Sequence, residues 1–403
     1  MQHALPLEGV RIVDFSRLLP GPWSTQTLGD LGADVIKVEQ PGVGDYGRFN
    51  PPDYRSMGVY FNSVNRNKRS IALDLTRPEG AEVARRLLES ADIVVESFRP
   101  GVTEKLKIDY QTVSSFNPAV IYCSITGFGQ TGSHAKVPAH DMAIQAMTGV
   151  MGMNPETPGA PSNPGFQAGD YAPAAYAVTG ILGAYINRLK TGAGCHLDIA
   201  MYDALFVWCN IGLSGALARL GGFEGKPEIE VWGANPRYAA YPTRDGKSVV
   251  VCLLETRTWV EFCRLIGRED LLYESESYAD RHTHHGEHKI RFREAITALC
   301  AAHDRDALVE WMMKANIPVV PVLAPDEVVN SEIARERGLI EWIDHPSEGR
   351  IPQLVNPLTH AGFIDPHRHP APALDEHADE VLTELGYGPA DVARLRAAMQ
   401  GDG

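Results

Sequence analysis

An α/β fold, with a large domain built on a parallel sheet and a smaller α+β domain, is predicted by three observations. Short β-branched runs alternate with helical segments through the first half of the 403-residue chain. Near residue 225 that alternation gives way to a hairpin signal followed by helices. With 44% hydrophobic and 22% charged residues, the chain has a globular composition and enough apolar content for a sizeable core.

The elements follow in order. Val10–Phe15 is a β-branched strand, Leu18–Pro22 a turn, residues 23–31 a helix and 33–39 a second strand, which together make a βαβ unit. Thr76-Arg-Pro-Glu79 reads as a capping box opening a helix to about Ser90, with Val83, Leu87 and Leu88 on one face. Two more apolar strands are expected at 91–96 and 120–125. Repeated βα units on this scale predict a Rossmann-like parallel sheet with helices on both faces. Farther on, strands at 237–243 and 248–254 flank Asp245-Gly246, a hairpin signal. Helices are expected at 256–267, 289–302 and 305–315, and a strand at 318–323. The expected division is 1–224 for the first part of the large domain, 225–338 for the small domain, and 339–403 for a return to the large one. There is no internal repeat and no low-complexity tract.

Composition and charge exclude several classes. A disordered chain and a small disulfide scaffold are both ruled out. With 37 Lys and Arg against 51 Asp and Glu, the net charge of −14 argues against binding nucleic acid or an anionic membrane over the whole surface. A polyanionic ligand therefore needs a local basic patch. The six cysteines, at 123, 195, 209, 252, 263 and 300, form neither a CxxC pair nor a zinc knuckle and read as small buried hydrophobes in a reducing compartment. The start, MQHALPLEGVRIVDF, lacks the pattern of a signal peptide. The longest nearly apolar stretch, Tyr171–Ile186, is shorter than a bilayer span. A cytoplasmic protein is the expectation.

The opening βαβ unit suggests a dinucleotide enzyme, with Glu39 placed like the acid that binds a ribose. Leu-Leu-Pro-Gly-Pro offers one glycine where G-x-G-x-x-G is needed, so Glu39 reads as a solvated strand end instead. Basic residues gather at 65–69, at Arg99 and at Lys105 and Lys107, and the loops at the carboxyl ends of parallel strands are where such folds bind ligands. A phosphorylated ligand is the favoured reading. His282, His284, His285 and His288, like His367 and His369, read as solvated loops, because no carboxylate or cysteine set completes a metal site.

Ordered motifs carry a resemblance. Leu7-Glu-Gly-Val-Arg-Ile-Val, Leu28-Gly-Asp-Leu-Gly-Ala-Asp-Val-Ile-Lys-Val-Glu39, Asn67-Lys-Arg-Ser, Glu96-Ser-Phe-Arg-Pro-Gly, Ile125-Thr-Gly-Phe-Gly-Gln-Thr-Gly132, Asp198-Ile-Ala-Met-Tyr-Asp203 and Asp245-Gly-Lys run down the chain. Leu374-Asp-Glu-His377 and Val381-Leu-Thr-Glu-Leu-Gly-Tyr387 extend the series nearly to the end. In these the chain resembles the family III CoA-transferases and α-methylacyl-CoA racemases. The resemblance implies a Rossmann-like large domain, a small domain, and two chains threaded through one another as an interlocked homodimer. It implies CoA contacts at Leu19, Lys68, Arg69, Leu73, Ser97, Phe98, Arg99 and Lys105, with CoA as part of the substrate and no permanently bound cofactor or metal. Gln40 stands where relatives often carry an arginine near the adenine.

The resemblance also places the working carboxylate at Asp170, in Gly165-Phe-Gln-Ala-Gly-Asp-Tyr. Taken alone, an aspartate after glycine reads as a helix N-cap, and a helix N-terminus favours its ionised form. His140 and Glu255 match racemase positions, where Asp170 and His140 act as two bases and Glu255 orients His140. Gln145-Ala-Met-Thr-Gly149 matches the transferase pattern, Ala143-Ile144 replaces the racemase Asn-Tyr, and the glycine-rich flap of formyl-CoA transferases is missing near 255. The leading expectation is transfer of CoA from an acyl-CoA to a small carboxylic acid through an aspartyl anhydride and an aspartyl-CoA thioester, with N–H groups of the 165–170 turn as oxyanion donors. The alternative is epimerisation of a 2-methylacyl-CoA. The loop Glu228–Pro236 is expected to face the site.

Overall fold

Six strands form one parallel sheet: β1 (Arg11–Asp14), β2 (Asp34–Glu39), β3 (Lys68–Ala72), β4 (Ile93–Glu96), β5 (Ile121–Thr126) and β6 (Cys195–Ala200). The computed structural model describes residues 5–153, 164–223, 234–273 and 285–400. The strand order is β3-β2-β1-β4-β5-β6, the doubly wound arrangement that the alternating pattern predicts. Four consecutive residues of β4, Ile-Val-Val-Glu, are all buried, as a strand covered on both faces requires.

Helices α1 (Pro20–Asp30), α2 (Val59–Asn65), α3 (Pro78–Glu89), α4 (Val102–Leu106), α5 (Tyr110–Phe116), α6 (Asp141–Met147), α7 (Ala168–Thr191) and α8 (Met201–Trp208) complete this half of the chain. The predicted apolar stripe of α3 is sealed, with Val83, Leu87 and Leu88 at most 1% exposed against Val13, Ile36, Val94 and Tyr122. Its expected capping box does not form. Asp74 takes both the N–H and the hydroxyl of Thr76, and Arg77 becomes the N-cap with Pro78 in the first turn. The second sheet face buries α7 through Ala177 and Ile181.

The chain divides into two compact units. One comprises Met1–Ile144, Phe166–Val207 and Glu332–Gly403; the other comprises Gln145–Gly165 and Trp208–Ser331. This division falls inside α6 and α8, earlier than the texture change at 225, because helical periodicity runs unbroken through both points. In the second unit, after α9 (Ser214–Leu220), strands β7 (Tyr238–Pro242), β8 (Ser248–Cys252) and β9 (Val319–Pro321) form an antiparallel sheet. The β7–β8 connection is the loop 243–247, with Gly246 in the left-handed region at φ 76°, and is longer than a two-residue hairpin. Helices α10 (Thr256–Leu265), α11 (His288–Ala302) and α12 (Arg305–Lys314) cover that sheet, burying Trp259, Phe262, Phe292, Leu308 and Met312 completely. The short α13 (Pro325–Val329) ends the unit.

The C-terminal part returns to the large unit as α14 (Glu332–Glu336), the hairpin β10 (Ile340–His345) and β11 (Gly349–Leu354), α15 (Ala378–Glu384) and α16 (Pro389–Gln400). Val381, Leu382 and Leu395 enter the same core as α3. Among the described residues every cysteine is free, and Cys123, Cys209, Cys263 and Cys300 are buried. No helix among the described residues is long and apolar enough to cross a membrane.

Candidate active site

In a doubly wound sheet the crevice opens where the strand order reverses, here between β1 and β4 at their carboxyl ends. The loops leaving those two strands meet there. The N–H of Arg17, after β1, donates to Ser97 Oγ, after β4, at 3.0 Å. Leu18 adopts the left-handed region at φ 63°, which costs a branched residue about 1–2 kcal/mol and needs support from its surroundings. That support comes from a buried charge cluster. Asp45 accepts the Leu18 N–H at 3.0 Å and pairs with Lys37 at 2.9 Å, and Lys37 also donates to the Ser16 carbonyl at 2.8 Å. Gly21 lets α1 start close to β1, since a Cβ there would fall 2.1 Å from that of Ser16.

Two cavities open on these loops, and Arg17 and Phe98 line both. The first, about 740 Å³, is bounded by Glu39–Gly42, Ala72–Arg77 and Leu374–Asp375. The second, about 510 Å³, is bounded by Leu18, Tyr46, Tyr60, Ser97–Pro100, Ala139–Asp141 and Asp170. The guanidinium of Arg17 lies 5.6 Å from the Tyr46 ring centroid and 5.3 Å from that of Phe98, which holds a cation on the wall that the two cavities share.

Asp170 is the third residue of α7, whose N-cap is Gln167. The capping carboxylate comes instead from Asp141, which accepts the Gly169 N–H at 2.7 Å. The carboxylate of Asp170 makes no hydrogen bond to another described residue. Burial first, and the neighbouring Asp141 charge second, push its pKa up to about 7. The helix terminus by itself favours the ionised form, whereas burial and the Asp141 charge both favour the protonated one. The Asp170 charge in turn helps to hold the Tyr60 phenol above its ordinary pKa, behind burial as the larger cause. Three N–H groups of the 165–170 turn are already bonded, those of Ala168, Gly169 and Asp170 to Phe166, Asp141 and Gln167.

The sequence-expected residues separate into two groups. Asp170, His140, Ser97, Phe98 and Arg99 line one cavity, and Leu73 lines the other. Lys68 does not reach either. Its side chain is fully buried against Asp14 at 3.1 Å, the Pro22 carbonyl and Asn65, in the core at the N-terminal end of β3. Arg69 pairs with Asp34, Glu380 and Glu384, and Arg66 with Asp30, so the basic run at 65–69 knits the C-terminal segment to the sheet rather than holding phosphate. Leu19 is buried, and Lys105 is exposed on α4 and lines neither cavity, although its neighbour Leu106 lines the first. Glu255 belongs to the second unit as the N-cap residue of α10. Glu39 is no solvated strand end: it is 5% exposed and bound to Arg48 at 2.7 Å and Ser70 at 2.6 Å. Sequence reasoning missed Arg17, Tyr60 and Asp141. Position one turn beyond a β1 carboxyl end, and adjacency to His140, were the available signals for Arg17 and Asp141; Tyr60 had none. His282, His284 and residues 228–233 lie outside the described residues, and no metal-ligating group of three or more exists among those described. His285 is buried, against the solvated-loop reading, and His288 stacks on Tyr273.

The family profile described as CoA-transferase family III matches residues 7–378. The chain belongs to CoA-transferase family III. This family III CoA-transferase is 33% identical to the succinate–glutarate CoA-transferase of Agrobacterium fabrum, over 94% of this chain and 96% of that one. It is also 33% identical to the succinyl-CoA:mesaconate CoA-transferase of Haloarcula hispanica, over 95% and 97% of the two chains. Among solved structures, a CaiB/BaiF family protein from Brucella suis superposes with a TM-score of 0.80 at 32% identity, covering 95% of this transferase and all of that chain.

Proposed function

We propose that the protein moves CoA from an acyl-CoA to a small carboxylic acid, with Asp170 as the covalent carrier. The observation that carries this reading is that one cavity at the sheet's switch point holds a half-buried carboxylate, without a hydrogen bond to another described residue, beside the Ser97–Arg99 turn and Arg17. The adenosine phosphate end of CoA occupies the cavity of Leu73–Arg77, and the pantetheine passes Arg17 and Phe98 toward Asp170. Names of the relatives, which speak of succinate, glutarate and mesaconate, support a dicarboxylic acceptor.

Asp170 attacks the thioester carbonyl, and CoA thiolate leaves as the acyl-aspartyl anhydride forms. The thiolate then attacks the aspartyl carbonyl, expelling the donor acid and leaving an aspartyl-CoA thioester. An acceptor carboxylate displaces the thiolate to form a second anhydride, and the thiolate attacks the acceptor carbonyl to release product and Asp170. His140 shapes the acyl end of the cavity. A homodimer fits the apolar side chains that the single chain leaves exposed on α7 and α8, Ile186, Leu189, Phe206 and Val207.

Mass spectrometry tests the covalent step. Enzyme given donor alone should gain the mass of CoA or acyl group on the peptide containing Asp170, and hydroxylamine should inactivate it. An unmodified Asp170, with α-deuterium uptake by a 2-methylacyl-CoA in heavy water and no need for an acceptor, would overturn transfer in favour of epimerisation.

A further inference from the structure

Glu96 ends β4 directly beneath the turn Ser97–Arg99 and is 1% exposed. Its Oε2 accepts the Phe98 N–H at 2.7 Å. Ser124 of β5 hydrogen-bonds the same carboxyl, and the Ser124 hydroxyl lies 3.0 Å from His196 Nε2 on β6. His196 is itself held by stacking on Tyr110, ring centroids 4.9 Å apart. Among the described residues no cation pairs with Glu96. A buried acid without a cation is costly, and a turn that could be capped by a neutral group does not require one.

We infer that Glu96 is a positioning residue for the CoA-binding turn, its carboxyl fixing the Phe98 N–H so that Phe98 and Arg99 face the cavities. This rests on the proposed placement of CoA. The chain Glu96, Ser124, His196 also connects the turn to a titratable side chain at the sheet edge. The groups facing Glu96 are Tyr122 and Ser124 from β5, His196 and Asp198 from β6, and Glu104 from α4, with Cys123 nearby on the other face of the sheet. On the β1 side the neighbour is uncharged, Phe15, whose N–H bonds the Val95 carbonyl. Burial, with Glu104 and Asp198 adding to it, pushes the Glu96 pKa up to about 7. Near neutrality the turn therefore gains a negative charge beneath it as pH rises, which opposes a polyanionic ligand.

The test is calorimetric titration of the full chain with CoA between pH 6 and pH 8, using wild type, E96Q, E96A and R99A, alongside steady-state kinetics. E96A should bind CoA at least tenfold more weakly at both pH values and lose efficiency through KM rather than kcat. E96Q retains an acceptor oxygen, so it should match wild type at pH 6 and bind severalfold more tightly at pH 8, where only wild type carries the charge. Ionisation of CoA itself is common to both proteins and cancels. Wild-type affinity in E96A, or equal weakness in E96A and E96Q at pH 6, overturns the positioning role. If E96A does not fold, the wild-type and E96Q curves decide, and parallel curves overturn the inference. R99A separates the two levels: wild-type affinity there refutes the CoA placement, whereas weakening in R99A with none in E96A refutes only the role of Glu96.

Discussion

Replacing Asp141 with asparagine removes one charge from the wall of the cavity and leaves its shape nearly intact. The asparagine carbonyl can still accept the Gly169 N–H that Asp141 holds at 2.7 Å, so the first turn of α7 stays capped. What changes is the field at Asp170. Its pKa stands at about 7 through burial first and the Asp141 charge second. A nucleophilic carboxylate must be ionised, so in wild type roughly half of the enzyme is competent at pH 7, about nine-tenths at pH 8 and about one-tenth at pH 6. The acid limb of kcat/KM, which reports the free enzyme, should fall close to tenfold between pH 8 and pH 6. In D141N the larger cause, burial, persists, so the limb should move down by less than half of the total upward shift. At pH 6 the variant should thus keep a severalfold greater share of its plateau rate than wild type does. The assay is initial-rate transfer at limiting acyl-CoA across pH 5.5 to 8.5, with His140→Ala run in parallel to assign the limb to the carboxylate. A flat wild-type profile, or the same limb in wild type and D141N, refutes the coupling.

Lys68→Met removes the nearest cation from buried Asp14, leaving Lys37, Ser16 and Thr25 beside it, and should cost stability, up to about 3 kcal/mol, read as a fall in Tm, because Lys68 supports the core instead of contacting ligand. Weaker CoA binding with an unchanged Tm would refute that assignment. Leu87→Ala, at a fully buried position of α3, should cost about 2–5 kcal/mol in denaturant unfolding while CoA affinity stays at the wild-type value. In the homodimer reading, Ile186→Glu combined with Leu189→Glu should convert the dimer to a monomer in light scattering, since both side chains are more than half exposed in the single chain. A wild-type protein that is already monomeric at micromolar concentration would refute it.

Much of the architecture was legible because it rests on local patterns. Period-two and period-3.6 apolar spacing fixes which segments are strands and helices, and the alternation of the two forces a parallel sheet with its crevice at a strand-order reversal. Val83, Leu87 and Leu88 could be assigned to the core from spacing alone, and the segment motifs pointed to Asp170 and to Ser97–Arg99 before any coordinates. What the sequence by itself could not determine is the fate of its charges. Lys68, Arg69 and Glu39 look like surface or ligand groups in one dimension, yet Lys68 and Arg69 find opposite charges far along the chain, at Asp14 and Glu384, Glu39 finds Arg48 across a loop, and burial makes those pairings decisive. The same holds for Asp170. A helix terminus is a local feature and predicts an ionised acid, but the water that Asp170 loses and the charge of Asp141 arrive only with tertiary packing, and both push its pKa up. Hydrophobic periodicity is written residue by residue, whereas electrostatic environment is a property of distance in space, and only the folded chain decides it.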